Sequence, residues 1–144
     1  MTVLVDTSAL IAFYDRRSAD HDVVVQAFRD TPAPLSVSPL VLAEFDFLIG
    51  KYAGEKVALA AAREIAGTMQ IEDFPASDLR AAADVMEQYA DLKLGMTDAS
   101  IVVIAQRCRT ERILTLDHRH FTVVRPLSTA KAFTVLPEWS TGGR

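Results

Sequence analysis

The chain has 144 residues, 50% of them hydrophobic and 24% charged, which suits one folded unit with a sizeable core; a single cysteine, Cys108, excludes an internal disulfide. No apolar run reaches the roughly 18–20 residues of a membrane span, and no basic-then-apolar leader opens the sequence, so a cytoplasmic protein without a membrane partner is expected. The net charge of −4 argues against a general nucleic-acid binder, but residues 1–92 hold 7 Lys/Arg against 15 Asp/Glu, whereas residues 93–144 hold 8 against 4.

In chain order, the β-branched and apolar Thr2–Asp6 predicts a short buried strand, followed by a helix from Ser8 to about Tyr14. Val23, Val24, Ala27 and Phe28 give the stretch from Ala19 to Asp30 helical spacing, and Thr31-Pro32-Ala33-Pro34 ends it. Leu35–Val37 reads as a strand. Ser38 followed by Pro39 matches an N-cap with proline at the first helical position, opening a helix to about Tyr52. Gly54 marks a second helix, ending near Gly67. Met69–Phe74 reads as an edge strand. Ala76 to about Leu92 predicts a helix whose stripe includes Leu79, Ala82, Ala83, Met86 and Tyr89. Thr97 is expected to cap a helix reaching about Arg109, with Cys108 a small buried hydrophobe on it. Arg112–Leu116 predicts a strand, Asp117 to Phe121 a turn or short helix, and Phe133–Leu136 a last strand. The expectation is one domain over 1–136 and a mobile tail over 137–144. Short apolar strands alternating with helices indicate an α/β domain with a mostly parallel sheet, whose ligands bind beyond the carboxyl ends of the strands.

Four acids stand where acids are costly. Asp6 ends the first strand, and Asp117 follows the strand ending at Leu116, so neighbouring strands would put both at one rim. Asp98 sits in the first turn of an apolar helix, where its plainest role is to favour the helix dipole. Glu44 has Leu40, Val41, Phe47 and Leu48 at spacings of three and four, so it is expected within an apolar row and in need of a partner. Asp46 and Asp91 are read as solvated. Two carboxylates about 4 Å apart repel by roughly 4 kcal/mol at an effective dielectric of 20, so four converging acids would take up protons or hold a cation. Mg²⁺, or alternatively Mn²⁺, suits an all-oxygen site, and such an ion supports hydrolysis of a phosphodiester.

Competing chemistries lack their residues. A haloacid-dehalogenase phosphatase needs a second Asp two positions after Asp6, and Ser8 stands there. Response-regulator acids, glycine-rich phosphate loops and a G-x-S-x-G elbow are absent. His118 and His120 form a His-x-His pair with nothing to complete a zinc site, so phosphate contact or plain surface is expected of them. Tyr14 and Trp139 are read as packing residues rather than base-stacking platforms.

VDTSAL at 5–10, SPLVLAEF at 38–45, LGMTDASIVVIA at 94–105 and ILTLDHRHF at 113–121 together resemble a PIN-domain ribonuclease, closest to the VapC toxins of bacterial toxin–antitoxin pairs. The resemblance runs to about residue 136. It implies a three-layer α/β/α sandwich around a mostly parallel sheet of four or five strands. It carries the family's acids onto Asp6, Glu44, Asp98 and Asp117, holding one or two Mg²⁺ or Mn²⁺ ions. Ser8 and Thr115 take the hydroxyl positions that support the acids. The implied reaction is attack of activated water on an RNA phosphodiester, leaving a 5′-phosphate and a 3′-hydroxyl, in tRNA or rRNA. The implied partners are a second copy of the chain and a VapB-type antitoxin, seated near the helices of residues 8–66. Arg112 and Arg119 are the expected contacts to the RNA backbone. The alternative is a catalytically silent PIN-like module that binds RNA or protein.

Overall fold

Val3, Leu4 and Val5 are all buried, and they form β1 (Val3–Val5) at the centre of a five-stranded parallel sheet in the computed structural model. Residues 1–138 are described; Trp139 and the rest of the expected tail lie outside them. Around β1 stand β2 (Leu35–Val37), β3 (Gln70–Ile71), β4 (Arg112–Leu114) and β5 (Thr134–Leu136), in the order β3-β2-β1-β4-β5. Leu4 pairs with Ser36 on one side and Ile113 on the other. The central strand β1 is apolar without alternation, because both faces of the sheet are covered.

The helices are α1 (Thr7–Tyr14), α2 (His21–Arg29), α3 (Pro39–Ala53), α4 (Glu55–Thr68), α5 (Ala76–Gln88), α6 (Met96–Arg107) and the one-turn α7 (His118–Phe121). α1 packs on α2 and α3, α3 on α4, and α5 on α6. Strand order runs one way from β1 to β3, then crosses back to β4. Right-handed crossovers therefore place α1–α4 on one face and α5–α6 on the other, the expected three-layer sandwich. The order reverses between β1 and β4, and in such sheets the binding crevice opens at that switch point.

Local signals account for most boundaries. Ser38 Oγ accepts from Leu40 N at 3.1 Å, with Pro39 in the first turn of α3. Gly54 joins α3 to α4 with φ +94°, a conformation that side chains disfavour. Three expectations are corrected. Gly95, not Thr97, caps α6, and Thr97 lies in its first turn, since helix residues start at Met96. The helix expected to reach Leu92 stops at Gln88, and a separate 3₁₀ turn covers Ala90–Leu92. The buried stripe of α5 is Ala82 and Val85, flanked by Met86 and Tyr89, while Leu79 is 43% exposed. Leu79 and Ala83 are on the outward face of α5. Cys108 packs at the core edge, where burial, ahead of nearby Glu72, pushes its thiol up to about 11. Tyr14 packs on Phe13 and Phe45, and its hydroxyl donates to Glu64 at 2.6 Å, in keeping with a packing role. Among the described residues, no helix is long and apolar enough to cross a membrane.

Candidate active site

Asp6 belongs to two elements at once. Its N–H extends the β1–β4 ladder by donating to Leu114 O at 2.9 Å, and its carboxylate caps α1 by accepting from Thr7 N at 2.8 Å. Strand passes into helix with no loop between them, so the side chain is held 4% exposed at the carboxyl rim. The register sets Thr115 beside it from the next strand. Thr115 Oγ1 donates to Asp6 Oδ2 at 2.7 Å and lies 3.2 Å from Ser8 Oγ. Ser8 Oγ in turn accepts from Leu116 N at 2.9 Å, and Asp117 N donates to Thr115 Oγ1 at 2.9 Å. Two hydroxyls thus clasp the ends of β1 and β4 and aim two acids at one crevice.

Asp117 caps α7, accepting from His120 N at 3.1 Å and facing His120 Nδ1 at 2.8 Å. Asp98 arrives from the first turn of α6, with its Oδ2 3.3 Å from the same nitrogen. Its helix is tied to α3 by a buried hydroxyl pair, Ser38 Oγ to Ser100 Oγ at 2.7 Å, and Ser100 also donates to Thr97 O at 2.6 Å. α3 brings Glu44. All four expected acids, Asp6, Glu44, Asp98 and Asp117, line one cleft of about 520 Å³, with Ser8, Thr97 and an apolar wall that includes Ile11, Leu48 and Met96.

Proton affinities record the crowding. Burial pushes the Asp6 carboxyl up, opposed by its bonds from Thr115 and Thr7, and reinforced by Asp117 and Glu44. Burial, then the charges of Asp6 and Asp117, pushes Asp98 up to about 7, with His120 opposing. Carboxyls raised in this way either hold protons or face a cation. Their oxygen-only character suits a hard divalent ion.

The expectation for Glu44 is corrected in its reason. Glu44 is exposed although its neighbours divide, Val41 being fully buried in the core, Phe47 72% exposed and Leu48 lining the cleft, so the apolar row does not bury it. No buried charge demands a partner there; Glu44 joins the site because α3 passes its mouth. Asp46 and Asp91 are exposed, as expected. Arg119 is exposed on α7, two residues after Asp117, whereas Arg112 stands at the amino end of β4 and lines a separate cavity with Asp30 and Glu138. The expectation of plain surface or phosphate contact is corrected for His120, which is buried beside the acids, a role that sequence reasoning missed. His120 is 8% exposed and shares with Asp98 and Asp117 a set of ligand atoms all within 4.8 Å of one another. The available signal was its place three residues after Asp117, the N-cap-to-first-turn distance that brings the two side chains together.

Residues 3–125 match the PIN domain family. The chain is 40% identical over 136 residues to Ribonuclease VapC26 of Mycobacterium tuberculosis, covering 94% of this chain and all of that protein. The fold is similar to that of M. tuberculosis VapC20, described as a Sarcin-Ricin loop cleaving toxin, with TM-score 0.75 and 20% identity over 80% of this chain and 89% of that one. It is also similar to a chain of a toxin–antitoxin complex from Klebsiella pneumoniae (TM-score 0.65, 24% identity, 85% and 92% covered) and of VapBC2 from Rickettsia felis bound to a promoter DNA fragment (0.62, 15%, 84% and 91%). The chain belongs to the PIN-domain family, among the VapC ribonuclease toxins.

Proposed function

From that membership we propose that the chain is a metal-dependent endoribonuclease toxin that cleaves tRNA or rRNA, acting through Asp6, Glu44, Asp98 and Asp117. The convergence of these four carboxylates on one crevice at the β1/β4 switch point carries the reading. The donor set fits a divalent cation. Asp6, Asp98 and Asp117 would hold Mg²⁺ or Mn²⁺ from the floor, with Glu44 reaching in from the exposed wall. When bound, the ion supplies charge for a phosphoryl oxygen and a water of lowered pKa.

The protein's own part is positioning. Thr115 and Ser8 hold the Asp6 carboxylate by one oxygen, and Thr7 N holds the other. Asp98 and Asp117 come from different elements, so their spacing depends on how α6 docks against the end of β4. Arg119, exposed on α7 two residues after Asp117, would meet a phosphate of the incoming strand. Arg112 would be reached only by an RNA that continues past the sheet edge. The working unit is residues 1–136, acting in the cytoplasm as a homodimer. A VapB-type antitoxin would run through a second cleft of about 820 Å³, which joins the acidic one at Tyr52 and is walled by Phe13, Arg16, Lys56 and Val57.

The test is to incubate the purified chain and its Asp98→Asn variant with total cellular RNA and Mg²⁺, then sequence the 5′-phosphate ends. The expected result is a narrow set of new ends in tRNA or rRNA, lost with EDTA and in the variant. Absence of cleavage by the native chain, or cleavage indifferent to EDTA and to Asp98→Asn, refutes the reading.

A further inference from the structure

His120 is buried, yet its imidazole serves the core poorly. Nε2 is sealed from solvent with no hydrogen-bond partner. A buried polar atom left in that state is costly, and an apolar ring would fill the space without the penalty. The compensation lies at the other nitrogen. Nδ1 faces Asp117 Oδ2 at 2.8 Å and Asp98 Oδ2 at 3.3 Å. The backbone N–H of the same residue takes the other Asp117 oxygen at 3.1 Å. One residue therefore holds both oxygens of Asp117 and reaches across to an acid on a different helix. Two carboxylates so placed would otherwise repel, and the side chain of Asp117 would be held at one oxygen only, by the backbone N–H.

We infer that His120 is a positioning residue: its Nδ1–H orients Asp117 and sets its spacing from Asp98, and thereby sets the affinity of the site for a divalent cation. This rests on the reading that the acids bind such an ion. The hydrogen on Nδ1 is present in both the imidazolium and the Nδ1–H tautomer, so the role does not depend on the charge of the ring. Groups that orient a metal-bound carboxylate from outside contribute roughly 10–100-fold in affinity. Asparagine places an N–H at the Nδ1 position, whereas phenylalanine keeps the ring's shape and removes it.

Calorimetric titration of Mg²⁺ or Mn²⁺ into the metal-free chain, without RNA, reads the effect directly. His120→Phe is expected to weaken binding roughly 10–100-fold, with the metal-free melting temperature retained, and its cleavage rate is expected to recover at high Mg²⁺. His120→Asn is expected to restore most of the affinity. Unchanged affinity in a folded His120→Phe, or loss that Asn does not relieve, overturns the inference while leaving the nuclease reading intact. A native chain that takes up no divalent ion overturns the cation reading and this inference with it. Ring ¹⁵N spectra of the native chain give a check free of substitution. The Nδ1-bound hydrogen is expected to persist at saturating Mg²⁺, and its displacement would make His120 a direct ligand, against the inference.

Discussion

The two ends of the same sheet are built on opposite terms. At the amino end, neutral hydroxyls and backbone groups close in on one another. Thr2 Oγ1 donates to Pro34 O at 2.9 Å and meets Ser36 Oγ at 2.8 Å, while Thr110 Oγ1 donates to Thr2 O at 2.7 Å and accepts from Arg112 N at 3.1 Å. The bonds from Thr2 and the one from Thr110 to Thr2 stitch neighbouring segments, while the bond from Arg112 N steadies the entry to β4. At the carboxyl end the same hydroxyl chemistry, Thr115 and Ser8, is spent on steadying acids that repel. Asp6 and Asp98 both hold their protons more tightly than free carboxyls do. One end stabilises the fold, and the other gives up stability to keep charge where a ligand can use it.

Breaking the carboxyl end should separate activity from stability. Asp98→Asn removes a repelled charge from a position only 20% exposed, so cleavage is expected to fall by at least ~100-fold while the metal-free chain melts no lower than the native one. Kinetic assay and calorimetry on the same preparation check this, and a large loss of melting temperature would show that Asp98 is structural.

Acidity should sharpen the contrast next. The folded-state pKa of Asp98, about 7, lies above its ordinary 3.8, so the folded form binds this proton more tightly than the unfolded one. The associated stability is fully present below about pH 4 and is lost as pH rises toward 7. Discounted for partial exposure, the metal-free chain should lose on the order of 2 kcal/mol across that window. Denaturant melts of native and Asp98→Asn chains should differ in slope there, and parallel profiles would remove Asp98 from the account. The smallest effect belongs to the amino end. Thr110→Val should cost about 1–2 kcal/mol through two lost hydrogen bonds and leave RNA cleavage at its native rate.

The strand-to-helix acid Asp6 and the acid after the fourth strand, Asp117, were legible because chain position alone puts them at a strand's carboxyl end, whereas the hydroxyls Ser8 and Thr115 entered only through the family resemblance. Glu44 was found by an argument from burial that does not hold: helical spacing shows which neighbours are near, but Val41 goes into the core while Glu44 and Phe47 stay exposed. Thr97 looked like a cap because threonine favours such positions, but the turn after Lys93 delivers Gly95 there instead. Charge counts marked the last third of the chain as basic without showing that β4 carries Arg112 away from the acids. His120 stayed hidden because its significance is a distance between α6 and α7, and only tertiary packing brings those helices together.

The seamless joint at Asp6 matters to anyone who needs an intact but inert copy of this protein, for instance to capture its RNA or its antitoxin. Asp6 is ladder member, helix cap and site acid together. Asparagine keeps the cap but replaces one carboxylate oxygen with an amide that gives Thr115 and Ser8 a donor to face; alanine removes all the side-chain contacts. Either swap disturbs the seam as well as the chemistry. Asp98, whose neighbours do not rely on it for a backbone bond, is the place to silence the enzyme without retailoring it.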